Sequence, residues 1–268
     1  MTPRDRDFIA GLCASLAGLS IETDRSYLLE TRLGGLARRE GYGSIEELVR
    51  AVRDRGDQRL GWAVAQALAP AQTAFFRDAE VFSAIGRDLE AAAARGSVRV
   101  WSAACGPGQE IYSIAMMLEE RGVEGVELFA SDLSEAHLEQ GRSGVYSQFE
   151  VQQGLSARRL VRHFTNADQG FRIDPELRKA VKWRQLNLVD IPAGVGSFDL
   201  ILCRHVLGSL MEPAREKVLA NLIAALRPGG RLVLSAREAL PAGADQLLAA
   251  VTGAPGQFEI AHRVRAAA

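Results

Sequence analysis

The chain has 268 residues, enough for one large domain or two unequal ones, and its 47% hydrophobic and 24% charged residues are typical of a globular protein. Its formal net charge of -1 gives no electrostatic reason to expect a nucleic-acid partner. No apolar run approaches the roughly 20 residues that a membrane span needs, so we expect a chain that is not inserted in a membrane. The 3 widely spaced cysteines and 4 histidines form neither a disulfide framework nor a zinc pattern, which predicts a metal-free protein of the reducing cytoplasm.

The first seventy residues carry apolar side chains at helical spacing. Helices are predicted over residues 5–16, from a cap at Asp24 to Arg39, after a cap at Ser44, and over residues 62–68, where Pro70 ends the last of them. The sequence therefore predicts an N-terminal helical domain over residues 1–70.

The pattern changes near residue 97, where short apolar runs begin to alternate with helical segments. Strands are predicted over residues 98–103, 126–131, 181–186, 198–203 and 230–236, and helices near 110–121, 135–140 and 212–226. Residues 227–230 (RPGG) are predicted to form a loop, and residues 258–264 an edge strand. The alternation predicts an α/β domain over residues 71–268 with a doubly wound parallel sheet, interrupted by an insertion at about 145–180.

Two neighbouring strands of this predicted sheet end in residues that suit a nucleotide-like cofactor. The first leads into residues 103–110 (AACGPGQE), where small residues let a ligand approach the backbone, although an ordinary tight turn remains an alternative. The second ends in Asp132, an acid placed to accept hydrogen bonds from ribose hydroxyls, although it could instead cap the next helix. Together the two features favour an adenosine cofactor.

The glycine loop does not suit a pyrophosphate. It lacks the GxGxxG spacing and the lysine of a P-loop, and it carries Glu110 instead. A carboxylate here fits the cationic ammonium and sulfonium groups of S-adenosylmethionine, with a charge-assisted hydrogen bond worth about 1.5–3 kcal/mol.

Several further segments occur in a recognisable order along the chain. They are residues 27–33 (YLLETRL), 73–78 (TAFFRD), 101–115 (WSAACGPGQEIYSIA), 130–134 (ASDLS), 144–146 (GVY), 160–164 (LVRHF), 187–188 (NL) and 198–207 (FDLILCRHVL). In this order they make the chain resemble the CheR-type chemotaxis-receptor methyltransferases, which methylate glutamate side chains of chemoreceptors. The resemblance implies a class I, Rossmann-like methyltransferase domain with a small inserted antiparallel β subdomain, behind an all-helical N-terminal domain.

The resemblance also implies a site. The residues implied around the cofactor are Thr73, Arg77, Ala103, Glu110, Asp132, Asn187, Leu188, Arg204 and His205. Asp132 would hold the ribose and Asn187 the adenine end, while Arg77 and His205 would act at the reacting end, His205 either as a hydrogen-bonding residue or as a general base. The implied product is S-adenosylhomocysteine. The implied partners are cytoplasmic domains of chemoreceptors, met by a monomer whose basic helix carries Arg25, Arg32, Arg38 and Arg39; a solvated helix face is the alternative.

The chain departs from the family pattern at positions around the reacting end. Ala71 and His205 stand where the family usually has Asn, Gln109 where it has Glu, and Ser209 where it has a Tyr near the methyl group. These departures leave two alternatives open: a cofactor-binding regulator with weak or no catalysis, and a methyltransferase for another protein or a small molecule. Methylation of a carboxylate needs no general base, because a glutamate with a reference pKa of about 4.3 is already ionised at neutral pH.

Overall fold

A computed structural model describes residues 1–22, 26–70, 73–235, 238, 240–254 and 256–261. The first part of the chain is helical, as predicted, and consists of α1 (Pro3–Ala17), α2 (Ser26–Arg39), α3 (Ile45–Arg55) and α4 (Gln58–Leu68). The side chain of Ser44 accepts a hydrogen bond from the Glu47 backbone and caps α3, which confirms the predicted cap. The predicted cap at Asp24 lies outside the described residues.

The remaining elements are a mixture of helices and strands. They are α5 (Ala79–Ala93), β1 (Val98–Ala103), α6 (Gln109–Arg121), β2 (Val126–Asp132), α7 (Glu135–Ser143), β3 (Val145–Tyr146), α8 (Gln148–Gln152), α9 (Ala157–His163), β4 (Phe164–Ala167), β5 (Gly170–Ile173), α10 (Pro175–Lys179), β6 (Val181–Gln185), β7 (Phe198–Leu202), α11 (Glu212–Ala224), β8 (Leu226–Val233), β9 (Leu248–Ala250) and β10 (Gln257–Ile260). Among the described residues, no helix is both long and apolar enough to span a membrane.

The large sheet has seven strands in the order β6-β2-β1-β7-β8-β10-β9. The five strands from β6 to β8 pair in parallel, and β10 pairs antiparallel with both β8 and β9. After β1 the chain adds β2 and β6 on one side and then β7 and β8 on the other. The strand order therefore reverses beside β1, and open α/β sheets bind ligands outside the carboxyl ends of the strands at such a point.

Two details of the sheet differ from the sequence prediction. The segment near residue 258 is not an edge strand, because β10 lies between β8 and the short strand β9, which was not predicted. The predicted loop at residues 227–230 is an irregularity within β8. Phe198 pairs with Leu226 and Leu200 with Arg231, so four residues bulge opposite Asp199 alone.

Both faces of the sheet are buried, as the doubly wound prediction requires. Along β1, Val98 and Val100 belong to one core cluster and Trp101 and Ala103 to the other, which follows from the two-residue period of a strand. The cluster with Trp101 also contains Ile9, Leu33 and Val64, contributed by the N-terminal helices. The helical region and one face of the sheet therefore share a core, and the predicted domain boundary after residue 70 stays a prediction.

The inserted segment forms a small separate sheet, with β5 between β3 and β4 and every pair antiparallel. Helices α8, α9 and α10 accompany it, so the segment runs from Val145 to Lys179. This confirms the small antiparallel β subdomain that the resemblance implied.

Candidate functional site

A cavity of about 430 Å³ opens where the strand order reverses. Its volume lies within the range of roughly 300–1,000 Å³ that is usual for ligand pockets. The predicted site residues that line it are Thr73, Arg77, Glu110, Asp132, Asn187, Leu188, Arg204 and His205. Ala103 is not among the residues described as lining it; this last residue of β1 is buried, and its neighbour Ala104 lines the cavity.

The glycine loop after β1 turns sharply through left-handed backbone at Ala104, Gly106 and Gly108. Gly106 lines the cavity, as expected for a residue that a ligand approaches. Gly108 has another reason to lack a side chain, since a Cβ there would lie 2.5 Å from the Trp183 ring. The two glycines therefore serve different purposes, one at the cavity and one in the packing behind it.

Asp132 stands at the end of β2 with its carboxylate nearly fully buried. Its Oδ2 accepts a hydrogen bond from the Gly106 backbone N–H at 2.8 Å, and its Oδ1 accepts one from the Ser134 N–H at 2.9 Å. The Nδ1 atom of His137 lies 3.0 Å from the same Oδ1, a contact that was not predicted from the sequence. Asp132 is not the cap of α7, because Ser134 occupies the N-cap position. Its carboxylate joins the glycine loop to the start of the next helix.

Glu110 and Arg204 form a partly buried ion pair in the wall of the cavity. Arg204 Nη1 donates to Glu110 Oε2 at 3.1 Å, and the Ser102 hydroxyl donates to Glu110 Oε1 at 2.8 Å. Arg204 Nη2 donates to the Asp78 carboxylate at 2.5 Å and to the backbone oxygen of Arg77 at 2.8 Å. Arg204 thus ties the segment that carries Arg77 to the glycine-loop helix.

Three residues around this pair adopt left-handed backbone although none is glycine. Phe76 has φ 48°, Asp78 has φ 63° and His205 has φ 59°. Such conformations cost of order 1–3 kcal/mol each and persist where the surrounding structure enforces them, which is common at functional sites. Here two of them flank Arg77, so the strain is concentrated on the segment that presents this arginine.

His205 is held by its backbone, while its ring faces the cavity. Its N–H donates to Glu238 Oε2 at 3.0 Å, and the Leu207 N–H donates to Glu238 Oε1 at 2.6 Å. The buried ring atom Nε2 has no hydrogen-bond partner among the described residues and lies 3.6 Å from Asp78 Oδ2. Burial, reinforced by Arg77 and Arg204, lowers the pKa of His205. The ring is therefore neutral at pH 7.

Asn187 has a structural role that the sequence did not reveal. Its Nδ2 donates to the backbone oxygen of Leu16 in α1 at 3.0 Å, and its Oδ1 accepts the Val189 N–H at 3.1 Å. The Leu188 backbone oxygen accepts a hydrogen bond from Asn221 at 2.9 Å. This loop is consequently fastened to α1 on one side and to α11 on the other, and its predicted contact with adenine stays a prediction.

The helical region supplies part of the cavity wall, which was not predicted from the sequence. Leu19 pairs with Leu210 in an isolated antiparallel bridge, and the Ser20 N–H donates to the Ser209 backbone oxygen at 2.8 Å. We call residues 18–20 and 209–211 the clasp. Leu19, Ser20, Ser209 and Leu210 all line the cavity. The clasp therefore joins the helical region to the loop after β7 at the site itself.

The arginines of α2 divide into two groups. Arg32 lines the cavity and its Nη1 donates to the backbone oxygens of Leu68 and Ala69 at 3.0 and 3.2 Å, so it is turned away from the predicted basic face. Arg38 and Arg39 in the last turn are exposed. Arg25, the remaining member of the predicted basic helix, lies outside the described residues, as does the family departure at Ala71.

Comparison with known proteins identifies the family. Residues 71–254 match the family described as CheR methyltransferase, SAM binding domain. The chain belongs to the CheR methyltransferase family. Its relatives include chemotaxis protein methyltransferase 1 of Pseudomonas aeruginosa, 34% identical over 83% of this chain and 85% of that protein. Chemotaxis protein methyltransferase Cher2 of Pseudomonas putida is 32% identical over 88% of each chain, and a chemotaxis protein methyltransferase of Vibrio parahaemolyticus is 34% identical over 90% of each.

The cofactor of this CheR-family chain is S-adenosylmethionine, and the cavity suits it. Asp132 and Glu110 place carboxylates at its wall, one at the end of β2 and one at the start of α6. The sulfonium and ammonium groups of the cofactor are cationic and are compatible with the Glu110 carboxylate, while the Asp132 carboxylate can accept a hydrogen bond from a hydroxyl group. The glycine loop lacks both the GxGxxG spacing of a dinucleotide site and the lysine of a P-loop.

Proposed function

We propose that this chain transfers a methyl group from S-adenosylmethionine to glutamate side chains in the cytoplasmic domains of chemoreceptors. The observation that carries the proposal is the meeting of Arg77, Glu110, Asp132 and Arg204 in one cavity at the point where the strand order reverses. The names of the relatives, which cover most of the chain, support the substrate class.

Each wall of the cavity has a part in this proposal. Asp132 accepts a hydrogen bond from the ribose, and Glu110 faces the cationic methionine end. Asn187 and Leu188 border the adenine, and Thr73 lies against the glycine loop, where its Cγ2 is 3.4 Å from the position of a Cβ on Gly106. Ala103 lies behind the glycine loop, where it forms the last residue pair between β1 and β2, opposite Ser131.

The chemistry asks for alignment rather than proton transfer. The bound cofactor supplies an electrophilic methyl group on a sulfonium. The substrate carboxylate is already an anionic nucleophile at pH 7, so the chain needs to orient it and to exclude water. Arg77 orients the carboxylate from the segment that Arg204 holds, and the clasp closes the cavity on the side of the helical region. His205 remains neutral and acts as a hydrogen-bonding residue near the methyl group.

The proposal includes a surface for the receptor. Arg38 and Arg39 are exposed at the end of α2, and their charge is complementary to an acidic helical bundle. In this proposal the chain acts in the cytoplasm, because the proposed substrates are the cytoplasmic parts of receptors, and it acts as a monomer. Residues 1–70 form the receptor-facing helical domain and residues 71–268 the methyltransferase domain.

A second candidate is a cofactor-binding regulator with little catalysis. It is favoured by Ser209, which stands where the family usually has Tyr and whose hydroxyl donates a hydrogen bond to the Val206 backbone oxygen at 2.7 Å. On the mechanism above, loss of a Tyr hydroxyl removes an orienting group and not a proton carrier, so we favour the methyltransferase.

The two candidates are separated by labelled S-adenosylmethionine and purified receptor cytoplasmic domains. Methyl transfer predicts base-labile label on receptor glutamates, which Arg77→Ala abolishes while calorimetry still detects cofactor binding. Unlabelled receptors together with normal cofactor binding would support the regulator. Base-stable label, or label on another protein, would indicate a different acceptor.

A further inference from the structure

His137 lies next to the cofactor cavity without lining it. Its Nδ1 is 3.0 Å from Asp132 Oδ1, its side chain is 18% exposed, and it is absent from the cavity wall in the described part of the chain. It is on α7, five residues after Asp132, and beyond the segment 130–134 that carries the family resemblance. Its contact with Asp132, which does line the cavity, connects His137 to the cofactor site.

The hydrogen bonds of Asp132 show what this contact does. An ionised carboxylate only accepts hydrogen bonds and offers about four lone-pair positions on its two oxygens. Oδ1 accepts a hydrogen bond from the Ser134 N–H and also faces His137 Nδ1. Because the carboxylate can only accept, His137 Nδ1 is the donor. Both acceptor positions of Oδ1 are therefore occupied. Among the described residues, Oδ2 accepts a hydrogen bond from the Gly106 N–H alone. The remaining acceptor position of Asp132 is therefore on Oδ2, the oxygen beside the glycine loop.

We propose that His137 is a positioning residue, which locks the Asp132 carboxylate so that Oδ2 accepts a hydrogen bond from one ribose hydroxyl of the cofactor. The inference rests on the proposed function, in which Asp132 holds the ribose. Without the His137 donor, Oδ1 has a free acceptor position and the carboxylate loses a restraint on rotation about its Cβ–Cγ bond. The donor is present whether the ring is neutral with its proton on Nδ1 or doubly protonated, so the role does not depend on the charge of His137.

The test compares His137→Leu, which has no donor, with His137→Asn, whose side-chain amide keeps one at a similar position. Calorimetry measures the affinity of each full-length protein for S-adenosylhomocysteine and for its analogue without the two ribose hydroxyls. We expect His137→Leu to bind S-adenosylhomocysteine roughly five- to tenfold more weakly, as for loss of one hydrogen bond, and His137→Asn to restore most of the affinity. Glu139→Gln, an exposed change on the same helix, is the matched control and should bind like the wild type.

The analogue separates positioning from general damage. If His137 acts through Asp132 on the ribose, His137→Leu and the wild type bind the analogue equally, because it has no hydroxyl to place. Equal losses of affinity for both ligands in His137→Leu would overturn the role of His137 while leaving the cofactor site intact. Wild-type affinity of this variant for S-adenosylhomocysteine would do the same. A wild-type protein that binds neither ligand would overturn the proposed site together with this inference.

Discussion

Arg204 donates a hydrogen bond to Glu110 across the end of the cavity, at 3.1 Å, with only 2% of the arginine side chain exposed. The carboxylate that the sequence assigned to the cationic end of the cofactor is therefore already paired within the protein. Since the Ser102 hydroxyl holds the other oxygen, the carboxylate is fixed before any ligand arrives. A cofactor ammonium that meets it finds an acceptor in place, which lowers the cost of ordering the site.

Glu110→Gln should weaken cofactor binding more than it weakens the fold. The amide keeps one acceptor but loses the negative charge, so we expect the affinity for S-adenosylmethionine to fall roughly ten- to a hundredfold. Arg204 keeps Asp78 and the Arg77 backbone oxygen as partners, which limits the loss of stability. Calorimetry and urea unfolding measure the two effects.

Glu120→Gln provides the matched control. Glu120 is on the same helix α6 and accepts two hydrogen bonds from Arg159, but it lies outside the cavity. The Glu120→Gln variant should be less stable than the wild type but should bind the cofactor with the same affinity. If both variants weakened cofactor binding equally, the assignment of Glu110 to the cationic end of the cofactor would be wrong.

Gly18 makes the clasp possible, and its substitution should loosen the cavity. Its φ is 66°, and a Cβ there would lie 2.2 Å from the Ala214 Cβ in α11. Gly41 is the matched control, because its φ is 80° and a Cβ there meets nothing within 4 Å. Gly18→Ala should lower the free energy of unfolding by about 1–3 kcal/mol more than Gly41→Ala, the usual cost of overpacking.

The same pair of variants tests whether the clasp belongs to the site. Since Leu19 and Ser20 line the cavity, Gly18→Ala should also raise the Kd for S-adenosylhomocysteine, and Gly41→Ala should leave it unchanged. An unchanged Kd in a destabilised Gly18→Ala protein would show that the helical region contributes packing alone.

Local patterns in the sequence predicted the centre of the fold, but they did not predict the pairing of segments that are distant in the sequence. The run β1-α6-β2 was predicted within a residue at each end, because strand and helix periodicities are properties of neighbouring residues. Strand β9 has three residues, too few to show a period, and the position of β10 between β8 and β9 depends on pairing between distant segments. Helix α5 was not predicted from the sequence.

In the candidate site, too, residues were found from local patterns, whereas their long-range contacts were not. Asp132 was found because it ends a predictable strand, whereas its contact with His137 depends on the orientation of the carboxylate. Asn187 was assigned to the cofactor, but its amide reaches Leu16, 171 residues away in the sequence. Contacts of this kind follow from the packing of the helical region on the sheet, for which the sequence offers no periodic signal.

His205 should make stability fall in mild acid. Burial, Arg77 and Arg204 lower its pKa below the usual value near 6.5. As the pH falls below about 6.5, the unfolded chain therefore takes up a proton that the folded protein does not, and folding loses stability. His205→Asn removes this dependence of stability on pH, and Asn, like His, is among the residues that tolerate left-handed backbone. Urea unfolding at pH 7.5 and 5.5 should show a smaller loss for His205→Asn than for the wild type; parallel losses would contradict the lowered pKa.

Arg38 and Arg39 should govern receptor methylation without affecting the cofactor. Both are exposed at the end of α2, unlike Arg32, which is turned into the cavity. Reversing both to Glu should slow methylation of receptor cytoplasmic domains severalfold at low salt, and the difference should shrink at high salt because exposed charges are screened. The Kd for S-adenosylhomocysteine should stay unchanged.

Arg50→Glu with Arg55→Glu on α3 is the matched control, because it makes the same change in charge at exposed positions of the neighbouring helix. Equal slowing by the two double variants would indicate a nonspecific effect of net charge, whereas slowing confined to the α2 pair places the receptor at the end of that helix.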